Sequence, residues 1–322
     1  MSRFSICFAN KIDSVGGAGT FLNNFQKYLK KKKYLIADFN KKQKIDYIFV
    51  TGASLRNIIP ILLNKLWGSK IINRVDGKLW IHKYSKIGHN GYLISIIQNF
   101  LIIFFKLISD KVIYQSSFIQ KSWNNKFIKK KSVIIYNATQ PRFINRNFNK
   151  TIKPTLISVE GSIDGAFNAV KLFNKIKKDY RYEIYGYVSE GIKSKFNDKK
   201  NLHFFGQVSR DKIKKILKRK KKYIFISLEM KAPCPNSVIE AINHGIPVIG
   251  YNQGSMSEII DKKQGKLLNV NKYFEFEEKE LSKAIKEIND NYYRYNKKLK
   301  NIDEKFKLDY MLKKYVNEIY KT

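Results

Sequence analysis

Residues 223–261 read YIFISLEMKAPCPNSVIEAINHGIPVIGYNQGSMSEIID, and their order of elements decides the fold. Tyr223–Ser227 is a short apolar run with the length and composition of a buried strand. Pro233, Cys234 and Pro235 end it, because proline has no N–H for a strand ladder. Asn236 and Ser237 are helix N-cap types, and Glu240 follows Ser237 at capping-box spacing. Gly245 is the expected helix stop, and Pro247–Gly250 reads as the next strand. Gly254 and Ser255 then form a turn before another helix. A helix that opens just beyond a strand's carboxyl end offers unpaired N–H groups and a positive dipole end to a phosphate. A carboxylate one turn in, such as Glu240, can accept hydrogen bonds from hydroxyls; alone, it reads equally as a capping carboxylate.

The same alternation fills the rest of the chain. Strands are expected at Phe4–Ala9, Tyr34–Ala37, Tyr47–Val50, Lys70–Asn73, Lys111–Tyr114 and Ser132–Tyr136, and again at Thr155–Val159, Tyr182–Tyr185 and Leu202–Phe205. Helices fall between them, one with Phe21, Leu22, Phe25, Tyr28 and Leu29 on one face, others at Ala166–Lys177 and Arg210–Leu217. Strands alternating with helices predict parallel sheets covered by helices. With 322 residues, two domains are expected, divided in the polar, basic stretch Asn147–Pro154.

These motifs resemble the donor-binding segment of retaining glycosyltransferases of family 4, which have the GT-B fold. Glu240, Ala241, Gly245, Pro247, Val248, Gly254 and Glu258 match the family pattern, and Cys234–Asn236 matches a variant of it. Asn201–Val208 (NLHFFGQV) resembles the segment beside the nucleobase, and Phe306–Tyr320 resembles the terminal helix that returns to the first domain. The resemblance implies an α/β protein with two Rossmann-like domains facing across a cleft. Residues 1–149 would bind the acceptor and 150–322 the nucleotide sugar. The reaction would move a sugar from a nucleoside diphosphate to a glycan or lipid-linked acceptor with retention of configuration, in surface polysaccharide synthesis. It implies no cofactor and no metal. Glu240 would bind the donor ribose, Gly206 and Val208 would flank the base, and Asn236, Ser237, Gly254 and Ser255 would line the phosphate and sugar. Glu240 and Asp76 are the catalytic candidates.

Two departures stand out. The family's first Glu falls at Ala232, so sugar recognition would shift, with Glu229 as a candidate, or activity would weaken. Where relatives carry Gly-Arg to hold the diphosphate, this chain has Glu160-Gly161, and Lys171 lies deep in the next helix. The alternative reading is therefore a weak or inactive homologue acting as a binding subunit.

In the first half, Gly16-Gly17-Ala18-Gly19-Thr20 reads as a loop between strand and helix that lets backbone approach a ligand, and the resemblance implies that it faces the donor phosphate and the acceptor. A dinucleotide fingerprint starting at Gly17 fails at its third glycine, where Leu22 stands. Asp76 ends a strand, either as an acceptor-side residue or as a turn residue paired with Arg74. His82 and His89 follow, with His82 as an acceptor-side candidate. Tyr92–Ser109 is strongly apolar and reads as a core helix, with a membrane-dipping helix as the alternative.

The net charge is +37. Residues 1–150 hold 27 Lys/Arg against five acids, all Asp, a net +22. Such a field attracts polyanions or an anionic membrane surface. Aromatic–basic interleaving is missing, so no specific nucleic acid is expected. Cys7 and Cys234 form no disulfide or zinc pattern, and Met1 leads directly into a strand-like run without a signal peptide. The expected location is cytoplasmic, with peripheral attachment to the inner membrane face.

Overall fold

The computed structural model describes residues 4–10, 16–78, 89–123, 130–163, 169–176, 179–271 and 276–322. It divides into two compact units, Met1–Tyr136 with Asp309–Thr322, and Asn137–Leu308.

The first unit runs β1 (Ser5–Phe8), α1 (Gly16–Lys31), β2 (Leu35–Ala37), β3 (Tyr47–Thr51), α2 (Ile58–Leu66), β4 (Lys70–Val75), α3 (His89–Ile108), β5 (Lys111–Tyr114), α4 (Ser117–Trp123) and β6 (Ser132–Ile134). Its strands form a parallel sheet in the order β2-β1-β3-β4-β5-β6. From β3 to β6 the chain steps one way across the sheet, so right-handed crossovers put α2, α3 and α4 on one face; β1 to β2 steps the other way and puts α1 on the opposite face. Ile61 of α2 and Phe105 of α3 share one core cluster with Ile48, Val50 and Ile71, which fixes both helices on the same face.

The second unit runs β7 (Thr155–Ser162), α5 (Ala169–Lys175), β8 (Tyr182–Tyr187), α6 (Glu190–Lys193), β9 (Leu202–Phe204), α7 (Arg210–Leu217), β10 (Tyr223–Ile226), α8 (Asn236–Asn243), β11 (Val248–Tyr251), α9 (Met256–Ile259), β12 (Gly265–Leu268), α10 (Glu278–Asp290) and α11 (Tyr292–Lys298). Its parallel sheet has the order β12-β11-β10-β7-β8-β9. After β9 the chain returns to the middle, so β7 and β10 are neighbours joined by no direct connection. That is a topological switch point, where a crevice opens beyond the carboxyl ends of the strands.

The division follows Tyr136, and the 147–154 stretch lies within the second unit. The reason is hydrogen bonding of the segment before it. Arg142 N–H donates to Asn243 O at 3.0 Å, and Asn243 Nδ2 donates to Thr139 Oγ1 at 2.7 Å. Helix α12 (Leu308–Tyr320) packs on the first unit: Tyr315 meets the rings of Phe21, Phe25 and Phe49, and Lys111 Nζ bridges Glu318 Oε2 at 2.6 Å.

Helix α3 contributes Ile102 and Phe105 to the core, but it is only half a core helix. Its other side, with Leu93, Ile94, Ile96, Ile97, Phe100, Ile103 and Leu107, is exposed. No helix among the described residues is long and apolar enough to cross a membrane.

Candidate active site

The switch point of the second sheet gathers most of the candidate residues. Strand β7 carries one extra residue relative to β8 between Val159 and Ser162. A bulge of this kind re-aims side chains, and here Glu160 reaches the loop after β10. Its Oε1 accepts the Leu228 N–H at 2.9 Å. Burial is the main cause that pushes the Glu160 carboxyl up to about 8; the charge of Glu229 adds to this, and the N–H groups of Leu228 and Glu229 oppose it. Burial pushes Glu229 up to about 7. Two carboxyls at one site titrate as a pair and resist losing both protons.

Folding stability should therefore depend on pH through this pair. The unfolded chain loses these protons near the ordinary value of 4.5, whereas the native chain keeps them until about 7 to 8. The native state then binds more protons in that window, and stability falls as pH rises through it. We expect Glu160→Gln, which keeps an acceptor for Leu228, to flatten that fall. Chemical-denaturation midpoints of both proteins across pH 4 to 9 check it; parallel curves would contradict it.

The loop between β10 and α8 is held tightly. Lys231 has φ +48° and Ala232 is fully buried. Ser255 N–H donates to Ala232 O at 2.9 Å, so this group is taken and is not open to a phosphate. Gly254 has φ +64°, and a Cβ there would lie 2.6 Å from Ala232 N and from Lys231 C. Only glycine fits. The Ser255 hydroxyl is fully buried. Cys234 is also buried, and its carbonyl accepts Asn137 Nδ2 at 2.7 Å.

Helix α8 begins at Asn236, with Pro235 in the N-cap position and no side-chain cap. The expected capping box between Ser237 and Glu240 is not formed. Proline fixes the extended backbone needed at the cap, and Ser237 already lies inside the helix. The first N–H groups of α8 thus lack side-chain caps. Asn236, Ser237 and Glu240 are partly exposed. Burial raises the Glu240 carboxyl, while the positive charges of Arg210, Lys214 and Arg142 oppose that rise. Arg210 and Lys214 lie four residues apart on α7 and Arg142 follows β6, and nothing local in the sequence links them to Glu240.

Gly206 has φ +66° and its carbonyl accepts Gly186 N–H at 2.9 Å. Gln207 Nε2 donates to Gly161 O at 2.9 Å, which ties this loop to the end of β7. Phe205 stacks on Tyr185 with centroids 4.8 Å apart, and Val208 is half-buried beside it in sequence. The structure thus brings Gly206, Val208, Asn236, Ser237, Glu240, Gly254 and Ser255 to the carboxyl edge of one sheet, after β9, β10 and β11.

The remaining candidates belong to the first unit. Gly16 and Gly17 do not form a loop; they are the first turn of α1. A first helical turn has N–H groups with no partner inside the helix, so these glycines still present backbone donors. Asp76 lies just past β4. Its Oδ1 accepts Arg74 Nη1 at 3.1 Å and Gln115 Nε2 at 2.9 Å. Its Oδ2 lies where a Cβ on Gly52 would sit, 2.7 Å away. Burial raises its carboxyl, and Arg74 and Gln115 work against that. The pairing with Arg74 is real, and Gln115 is a partner that sequence spacing gave no reason to expect. His82 lies outside the described residues. Among the described residues, no three His, Cys, Asp or Glu side chains are placed to hold a metal ion.

Comparison with known proteins follows the same lines. A sequence model of the family described as Glycosyl transferases group 1 matches residues 145–307. No curated protein matches the sequence. Among solved structures, sucrose-phosphate synthase from Thermosynechococcus elongatus is similar, with a TM-score of 0.74 and 13% identity over 99% of this chain and 98% of that one. A glycosyltransferase from Rickettsia africae has a TM-score of 0.65 and 16% identity, covering 100% of this chain and 99% of that one. Anabaena HepE, solved in complex with UDP and glucose, has a TM-score of 0.69 and 10% identity, covering 99% of this chain and 100% of that one. At these identities the likeness concerns the fold: two parallel six-stranded sheets with flanking helices, the GT-B architecture.

Proposed function

The chain belongs to the glycosyl transferases of group 1, and from that membership we propose that it moves a sugar from a nucleoside-diphosphate sugar to a glycan or lipid-linked acceptor with retention of configuration. The observation that carries this reading is the gathering of Glu240, the open end of α8, the Gly254 turn and the Phe205–Val208 loop at one switch point. In it, Glu240 holds the ribose hydroxyls, and the base lies by Gly206 and Val208. The first N–H groups of α8 meet the departing diphosphate, acting where negative charge develops. Asp76 serves the acceptor side. No cofactor is required.

Glu160 stands where an arginine would otherwise neutralise phosphate. A fully ionised Glu160–Glu229 pair would repel the donor. The raised values keep a proton on the pair near neutrality, which lowers the repulsion and supplies an O–H donor. The setting of this reading is surface polysaccharide synthesis at the cytoplasmic membrane face.

Glu240→Ala should weaken nucleotide affinity by about 10- to 100-fold, the loss of hydrogen bonds to a charged acceptor. It should not destabilise the fold, because the carboxylate is held at a cost of burial. The test of the whole reading is transfer of label from a panel of nucleotide sugars to a membrane lipid extract, with the anomeric configuration of the product read by NMR. An inverted product would refute retention. Nucleotide binding without transfer would favour the binding-subunit reading, which Ala232 motivates: this buried position carries no polar group to reach a sugar.

A further inference from the structure

Helix α3 is apolar on both sides: Ile102 and Phe105 enter the core, and a second apolar face looks outward. It buries Ser95 and Lys106, and Lys106 Nζ donates to Trp123 O at the end of α4 at 2.6 Å. It exposes Leu93, Ile94, Ile96, Ile97, Phe100 and Leu107. Helix α2 does the same with Ile59, Leu62, Leu63 and Leu66, at i, i+3, i+4 and i+7, one outward stripe. Leu66 and Trp67 are 82% and 76% exposed, and Phe100 is 67% exposed. The two helices lie on the same sheet face and share a core cluster, and Lys65 at the end of α2 bridges Asp110 just beyond α3 at 3.1 Å. Their exposed apolar faces therefore lie on the same side of the first unit, and exposed apolar surface of this kind marks an interaction site.

The charge around the patch is predominantly positive. No Asp or Glu occurs between Asp46 and Asp76 or between Asp76 and Asp110, whereas Arg56 and Lys70 are exposed at its border. Apolar side chains with a net positive charge at their edge, where the acids Asp46 and Asp110 are paired with Lys44 and Lys65, fit the acyl boundary and headgroups of anionic lipid. We propose that the outward faces of α2 and α3 form a docking surface for an anionic lipid bilayer, on which the helices lie without spanning it. The proposal extends the membrane-face setting above, but it does not depend on transfer chemistry.

The test is sedimentation with vesicles of phosphatidylglycerol mixed with phosphatidylcholine, with no donor or acceptor present. Wild-type protein should partition onto them, with a blue shift of tryptophan emission that is lost in the variant lacking Trp67. The triple variant Leu66→Ser, Trp67→Ser, Phe100→Ser should lose at least about tenfold in partition, since each side chain leaves an apolar contact. Its thermal midpoint should hold, because all three are exposed. Equal partition of the triple variant would overturn the proposal by showing that charge alone suffices. Failure of the wild type to bind would overturn it too. So would self-association in the absence of vesicles that the triple variant abolishes, which would make the patch a contact between copies. None of these outcomes bears on nucleotide binding, which fails or succeeds separately.

Discussion

Arg146→Met should be among the most destabilising single substitutions in the second unit. Arg146 is fully buried, and its guanidinium donates to His244 O, Leu217 O and Arg219 O. Leu217 ends α7 and His244 caps α8, so one cation satisfies the terminal carbonyls of two helices and meets their negative dipole ends. Its own N–H donates to Asn296 Oδ1 at 2.9 Å, and Asn296 Nδ2 binds Gly245 O at 2.7 Å. Methionine fills similar volume but leaves three buried acceptors unpaired, at about 1 to 3 kcal/mol each. Partial relaxation should leave a loss of about 3 to 5 kcal/mol, and a thermal midpoint lower by roughly 10 °C. Lysine should rescue only in part, because a point charge does not reproduce the planar fork. A scanning-calorimetry midpoint within about 2 °C of wild type would contradict the assignment.

Gly254→Val should abolish donor binding with a smaller loss of stability. The position needs a left-handed backbone, and the new Cβ would meet backbone atoms of Lys231 and Ala232 at 2.6 Å. Backbone does not yield as a flexible side chain does, so the 231–232 loop must move. That breaks the Ser255 N–H to Ala232 O bond and displaces the entry to α8. Strain of this kind costs about 1 to 3 kcal/mol, but the site also loses its shape, and nucleotide affinity should drop by about 100-fold or more. Gly161→Ala is the control: nothing lies within 4 Å of its Cβ position, and it should be nearly neutral. Wild-type affinity in Gly254→Val, measured by calorimetric titration, would remove the turn from the site.

Element order was legible because apolar runs of strand length alternate with helical periodicity along the whole chain. Arg210–Leu217 and Lys111–Tyr114 emerge at the bounds expected from that pattern. The GT-B architecture followed from the Glu240–Gly254 segment, whose glycines and prolines report specific backbone needs, as Gly245 at φ +74° illustrates. Capping was misread because Ser237 is a good cap in isolation, while Pro235 had already set the extended residue. The glycines at 16 and 17 were expected in a loop because their helix propensity is poor, but a first turn tolerates them. Glu160 reads from the sequence only as a departure and Glu229 only as a candidate for sugar recognition, since their proximity depends on two neighbouring strands that lie far apart along the chain. Arg146 gave no signal, because its partners lie 71 to 98 residues away. The apolar run at 92–109 was visible, but which side of it faces the sheet depends on packing that composition does not encode.

The second unit is proposed to hold a nucleoside diphosphate at Glu240 and the α8 entry. Calorimetric titration of the purified chain with UDP, GDP, dTDP, CMP and NAD tests it most directly. One nucleoside diphosphate should bind, NAD should not, and Glu240→Ala should weaken that binding by about 10- to 100-fold. Binding of none of the nucleoside diphosphates, or equal affinity in the variant, would contradict it.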